Sequence, residues 1–228
     1  MQRYNTFNQI HKALRALLYD AALCLQQTDF TTKTECDAVV EKVLSILELF
    51  EAHAHAEDSH ILAALFSFEP SIVDAFEQEH VTDMQLCKAL EETIATLYRT
   101  TKDIERLKLG KELTQAFIRF MIFNLNHMAK EEEILNEILW RYYSDEEILK
   151  IESVIRQSTP PEKQPFVAKW MLRGISNSEA IGWLKGIEAH APASLFEALF
   201  TMAEAELPPN RFQEVAAHFA RPTAFAQS

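Results

Sequence analysis

Across its first 143 residues the chain contains a single glycine, Gly110, and a single proline, Pro70. So long a run with so few backbone breakers leaves little room for anything except long helices, since tight turns and strand ends draw on these two residue types. Apolar residues recur at i, i+3, i+4 and i+7 in four segments, roughly 5–27, 35–66, 71–99 and 108–143, the pattern of helices with one buried face. The breaks between them carry turn chemistry. Thr28 to Thr34 is polar with Thr and Asp caps, Pro70-Ser71 opens the third segment, and the Thr100 to Gly110 stretch separates the last two. Short connections make neighbouring helices antiparallel. The remaining seven of the eight prolines lie at or after Pro160, so the grain of the chain changes near residue 144. The expected fold class is all-α: an antiparallel up-down-up-down four-helix bundle over 1–143, then a smaller region of short helices over 144–228. In that second region Ser144-Asp145-Glu146-Glu147 reads as a capping box that launches a helix to about Gln157. Further helices are expected at roughly 161–173, 178–190, 193–206 and 209–219.

A net charge of −12 argues against a nucleic-acid partner, which would call for a Lys/Arg-rich face. The three cysteines, Cys24, Cys36 and Cys87, show no CxxC spacing and suggest neither a disulfide framework nor a thiolate metal site. No apolar run approaches the ~20 residues of a membrane span, and the first residues lack the uninterrupted apolar core of a signal peptide. The expectation is a soluble cytoplasmic protein that binds no membrane.

Six of the eight histidines lie in the bundle half: His11, His53, His55, His60, His80 and His127. His53 and His127 are each followed four residues later by a glutamate, Glu57 and Glu131. Positions i and i+4 share a helix face one turn apart, so each pair can grip one ion. A lone HxxxE is more often a solvated surface contact; here it is the whole set that matters. From His11 to the end of the first helix, from the start of the second to His53, from His80 to the end of the third, and from the start of the fourth to His127, the arms are about 16, 18, 19 and 19 residues. At ~1.5 Å rise per residue they agree within roughly 5 Å. In an up-down bundle the four histidines therefore meet at one depth. Phe7, Leu49, Phe76 and Phe123 lie one turn before them, which places the histidines on buried faces. Four imidazoles and two carboxylates gathered in a core are costly to desolvate unless coordination satisfies them. The expected metal ligands are His11 and His53 for one ion and His80 and His127 for the other, with Glu57 and Glu131 bridging. Such a donor set suits iron, zinc or manganese. It is richer in nitrogen than carboxylate-rich di-iron bundles, which favours small-ligand binding over oxidase chemistry.

The ordered set His11, His53-x-x-x-Glu57, His80, His127-x-x-x-Glu131 resembles the hemerythrin-like HHE cation-binding family, over roughly residues 5–143 of the chain. Glu57-Asp58, Glu131-Glu132 and Glu79-His80 look like neighbouring acidic features of that family. The resemblance implies two iron ions joined by an oxo or hydroxo bridge, binding a small diatomic ligand such as dioxygen or nitric oxide in sensing, storage or stress response. In the oxygen-carrying members a second histidine stands four residues from the third-helix ligand, where this chain has Phe76 or Met84, and the last carboxylate stands five residues after histidine instead of four. The chain therefore looks like the wider bacterial family more than the carriers. Its C-terminal part looks like an extension seen in some bacterial members.

The other candidates have plainer readings. His60, two turns after His53 on the same face, is a weaker candidate ligand. His55 points away by ~200° and is expected to be solvated; Asp58, Glu132 and Glu133 are expected to form a solvated edge, and His190 and His218 to be structural. Trp170, Trp183 and Phe196 should build a small C-terminal core, the region through which a protein partner or a second copy of the chain would bind. Two other functions remain open at this point: a di-metal oxidoreductase acting on peroxide or nitric oxide, and a helical interaction protein with a structural metal.

Overall fold

The computed structural model describes residues 3–219; the outer ends of the two expected domains, residues 1–2 and 220–228, lie outside them. Among the described residues every regular element is helical. Packing groups the residues into two units. None of these helices is long and apolar enough to cross a membrane.

The first unit holds the residues before Gln9 together with Leu17–Ser158. Its helices are α1 (Asn8–Gln27) apart from the segment Gln9–Ala16, α2 (Lys33–Ala56), α3 (Ala63–Leu65), α4 (Pro70–Arg99), α5 (Asp103–Lys130), α6 (Asn136–Tyr142) and α7 (Asp145–Ser158). Two wider, π-helical stretches, Glu57–Leu62 and Glu131–Leu135, carry α2 into α3 and α5 into α6 without a break. The four long helical rods are those the apolar spacing predicted. Their starts shift for local reasons. Asn5 accepts hydrogen bonds from the backbone N–H of Phe7 and Asn8 at 3.0 Å, so helical geometry begins at Asn8 and not at residue 5. The last rod begins at Asp103, and Gly110 lies inside it instead of before it. The ring of Phe30 occupies the space that a side chain at 110 would need: a Cβ there would lie 2.1 Å from Phe30 Cδ2. Gly110 therefore marks a close approach between a helix and a loop aromatic, not a chain break.

The core of the rods is lined by Leu17, Leu18 and Leu25 of α1, Val43 and Ile46 of α2, Leu90 and Leu97 of α4, and Leu113, Phe117 and Phe120 of α5. At the end nearer the N-terminus of α4, Phe7, Leu62, Phe76 and Leu139 form a further cluster that also takes in Ile148 of α7. The capping box expected at Ser144 is present: its Oγ accepts from Glu147 N–H at 3.3 Å, and Glu147 Oε2 accepts from Ser144 N–H at 2.8 Å. Residues 145–158, placed after the boundary at 143 by their sequence, pack with the bundle. Arg3 donates to Asp145 at 2.6 Å, Tyr4 donates its hydroxyl to Glu152, and Trp140 donates to the carbonyl of Tyr4.

The second unit comprises Gln9–Ala16 and the residues from Thr159 onward. Its helices are α8 (Gln164–Gly174), α9 (Asn177–His190), α10 (Ala193–Glu206) and α11 (Pro209–Ala216), close to the four short helices expected. Phe196, Phe200, Phe212 and Phe219 supply an aromatic core, with Trp183 packed against it. Ser176 and Glu179 close a capping box at the start of α9. Glu179 also pairs with Lys12 at 2.6 Å. Gly174 approaches the same segment so closely that a Cβ would lie 2.4 Å from the carbonyl oxygen of Lys12.

The contact at Gly110 sets opposite effects against each other: alanine would improve helix preference by about 1 kcal/mol, whereas overpacking costs about 1–3 kcal/mol. Gly110→Ala should lower unfolding stability in urea, and Gly110→Val should lower it further. A stabilised Gly110→Ala protein would show that the Phe30 ring yields without cost.

Candidate metal centre

The two His–Glu pairs are built in the same way on different helices. Near the end of α2 the N–H of Glu57 bonds back to the carbonyls of His53 and Ala54. Near the end of α5 the N–H of Glu131 bonds back to those of His127 and Met128. In both, the glutamate is the first residue of the π-helical stretch. A wide turn of this kind is frequent at functional sites. Here it falls where a carboxylate enters the core.

Tertiary packing then brings the pairs together. His53 Nε2 stands 3.1 Å from Glu57 Oε1, and His127 Nε2 stands 3.1 Å from Glu131 Oε1. His80 of α4 reaches both carboxylates, at 3.5 Å from Glu57 Oε2 and 3.8 Å from Glu131 Oε1. The rings of His80 and His127 meet edge to face with centroids 4.8 Å apart. Two groups result: His11, His53, Glu57 and Glu131, and Glu57, His80, His127 and Glu131. Within each, one ligand atom per residue lies within 4.8 Å of all the others. Both glutamates belong to both groups. All six expected ligands are thus brought together, and all are buried except His53, which is partly so.

The residues fit a pair of ions. The buried Nε2 atoms of His80 and His127 make no hydrogen bond although carboxylate oxygens stand near them, which is how a coordinating atom is presented. The electrostatics also call for positive charge at this spot. Burial opposes the charged form of His80, yet Glu131, Glu57 and Asp58 outweigh it and push its pKa up to about 11. For His127 burial is likewise outweighed, by Glu131, Glu79 and Glu57, and its pKa is raised. The carboxylates recruit cations, and imidazole with carboxylate is a donor set for iron, zinc or manganese. The arrangement is compatible with a two-metal centre.

Two further side chains orient the histidines, and their roles were not visible in the sequence. Asp58 Oδ1 lies 2.6 Å from His80 Nδ1, and Glu79 Oε2 lies 2.8 Å from His127 Nδ1. A carboxylate on Nδ1 directs Nε2 inward and strengthens it as a ligand. Burial disfavours the charge on Glu79, but Lys130, at 2.5 Å, and His127 hold its carboxyl below the usual range. Asp58, read from sequence as part of a solvated edge, is half-buried and bonded to His80. The only hint was its place beside Glu57. His60 belongs to neither group, and His55 is exposed. In the second unit His190 bonds to the carbonyl of Gly186 and His218 is exposed.

The same region of the chain is matched by a known family. The profile of the hemerythrin HHE cation binding domain covers residues 2–139. Among characterised proteins, the chain is similar to F-box/LRR-repeat protein 5 from Mus musculus, with 22% identity over 172 residues, 75% of this chain and 24% of that protein. The protein of the same name from Bos taurus is 23% identical over 152 residues, 67% of this chain and 21% of the relative. That from Salmo salar is 22% identical over 153 residues, again 67% and 21%. The chain thus spans less than a quarter of the length of these relatives. With the His/Glu cluster in place on a helical bundle and the profile covering more than half of the chain, the protein belongs to the hemerythrin HHE cation-binding domain family.

Proposed function

We propose that the chain is a non-haem di-iron protein that binds a small ligand, dioxygen or nitric oxide, in sensing, storage or stress response within the cytoplasm. The observation that carries this reading is the sharing of Glu57 and Glu131 between the two histidine pairs. Shared carboxylates hold two ions close enough to act on one small molecule. A pair of redox-active ions at this place supplies reversible binding or reduction of such a molecule. The chain's own residues hold and orient the pair: His11 and His53 on one side, His80 and His127 on the other, with Asp58 and Glu79 fixing His80 and His127. The unpaired thiols Cys24, Cys36 and Cys87 suit a reducing compartment.

A second reading, a di-metal oxidoreductase turning over peroxide or nitric oxide, is favoured by Phe76. This buried ring lies 5.8 Å from the His127 ring, where a further imidazole would enlarge the donor set. Fewer protein ligands leave more coordination positions for substrate.

Metal analysis of the purified protein should give two ions per chain, one for each group, with iron in excess of zinc and manganese. An optical band should respond to azide or nitric oxide. A metal-free protein that stays folded and refuses iron would sink the proposal. His127→Ala should lower both metal content and thermal stability, because metal affinity and folding are coupled. Asp58→Ala and Glu79→Ala should retain the fold but weaken metal binding about 10–100-fold, measured by competition with a chelator. Unchanged affinity in both would remove them from any role at the site. Peroxide or nitric oxide turnover abolished in Glu57→Ala would select the oxidoreductase over the binder.

A further inference from the structure

A buried polar pair next to the site belongs to neither ligand group. Asp83 and Asn124 are 4% and 2% exposed, and Asn124 Nδ2 donates to Asp83 Oδ1 at 2.6 Å. The other hydrogen of that amide goes to the carbonyl of Phe120 at 3.2 Å. The orientation of Asn124 is thereby set, and Asp83 Oδ1 is an acceptor. Among the described residues no salt bridge pairs Asp83 with a cation. The other oxygen of Asp83, Oδ2, has the thiol of Cys87 at 3.9 Å as a weak donor, so the carboxyl is held by neutral groups alone, and apolar residues of similar size would serve the fold as well.

Position along the helices relates the pair to the site. Asp83 lies one turn after His80 on α4 and Asn124 one turn before His127 on α5, so both are displaced from the histidines in the same direction along the bundle. Phe50, one turn before His53 on α2, is displaced the same way and stacks edge to face on Phe120. Glu57 and Glu131 lie one turn beyond their histidines in the opposite direction, the direction in which Phe76 lies one turn before His80. One side of the histidine layer is therefore taken up by the bridging carboxylates. The other is walled by Phe50 and Phe120, with Asp83 and Asn124 as its polar groups.

On the di-metal reading, on which this inference rests, we infer that the small ligand binds on the Asp83–Asn124 side and that Asp83, oriented by Asn124, donates a hydrogen bond to it. Burial of Asp83 raises its pKa against the opposing pull of Asn124 and the two histidines, which favours the form that carries a proton. Oδ1 takes the short bond from Asn124 and Oδ2 only the long contact from the Cys87 thiol, so the proton sits on Oδ2. The class of ligand so served is small and carries a negatively charged acceptor atom once bound, as azide does and as dioxygen does at a reduced site. Asp83 is then a ligand-contact residue that tunes which molecules the centre holds.

Two variants with three measurements test this. Asp83→Leu removes the donor, whereas Asp83→Asn reproduces both the acceptor and the donor of a protonated carboxyl. Metal analysis comes first: both variants should load as wild type does. Azide titration of the iron-loaded proteins, followed optically, should show affinity reduced about tenfold or more in Asp83→Leu and kept within about threefold in Asp83→Asn. In the metal-free proteins, infrared difference spectra should show a buried carboxylic-acid C=O band in wild type that both variants lack. Full metal with unchanged azide affinity in Asp83→Leu overturns the inference. So does equal weakening in both variants, which would assign the effect to the packing of the carboxyl and not to its donor, and so does metal loss in Asp83→Leu, which would make Asp83 a support for the ligands. A wild-type protein that takes up no iron fails the di-metal reading itself, and metal analysis reports that before azide is added.

Discussion

Two glutamates buried in the middle of a helical bundle set the terms for everything around them. Glu57 and Glu131 are 2% and 0% exposed, and ionised carboxylates at that depth are tolerated only when positive charge or coordination meets them. His80 and His127 supply the first answer, as proton carriers whose pKa values rise beside the carboxylates. Metal ions would supply the second, replacing those protons with stronger charge and satisfying the Nε2 atoms together. The bundle must hold the cluster within a few ångströms on separate helices, and the arrangement of apolar residues on both sides serves that end.

Polar links across α4 and α5 reinforce this. His127 is joined to Glu79 and Glu79 to Lys130, so these two helices are pinned to each other beside the site. Leucines and phenylalanines slide past one another with little loss, whereas a buried hydrogen bond is either made or missing. The two helices therefore have one alignment in which both links close, and it is the one that sets His80 beside His127.

Much of this was legible in the residues. The scarcity of glycine and proline, the apolar spacing and the matching arm lengths pointed to four rods with histidines at one depth, because these depend on local helix geometry alone. The His53–Glu57 and His127–Glu131 pairs were visible for the same reason. What escaped depends on neighbours distant in sequence. Gly110 looked like a break because its helical position is explained only by the Phe30 ring. Residues 145–158 looked like the start of a new unit because Arg3 and Tyr4, which hold them, lie at the other end of the chain. Asp58 read as part of a solvated edge and Glu79 only as the neighbour of His80 in a family-like pair, since nothing local shows that each faces an imidazole of another helix. Asp83 and Asn124 did leave a trace, as polar residues on otherwise apolar faces.

The wide turns at Glu57 and Glu131 also act as joints between two helical frames. A π turn holds one residue more than an α turn, so the helix beyond it resumes rotated by about 100° around its axis. The rotation brings Ile61, Leu62 and Leu65 after the first joint, and Leu135, Ile138 and Leu139 after the second, onto the inward side, where they cluster with Phe7 and Phe76. The apolar seam below the histidines and the one above them are thereby set out of phase. Each can keep its own spacing, and the surplus residue is taken up at the point where a carboxylate has to face inward.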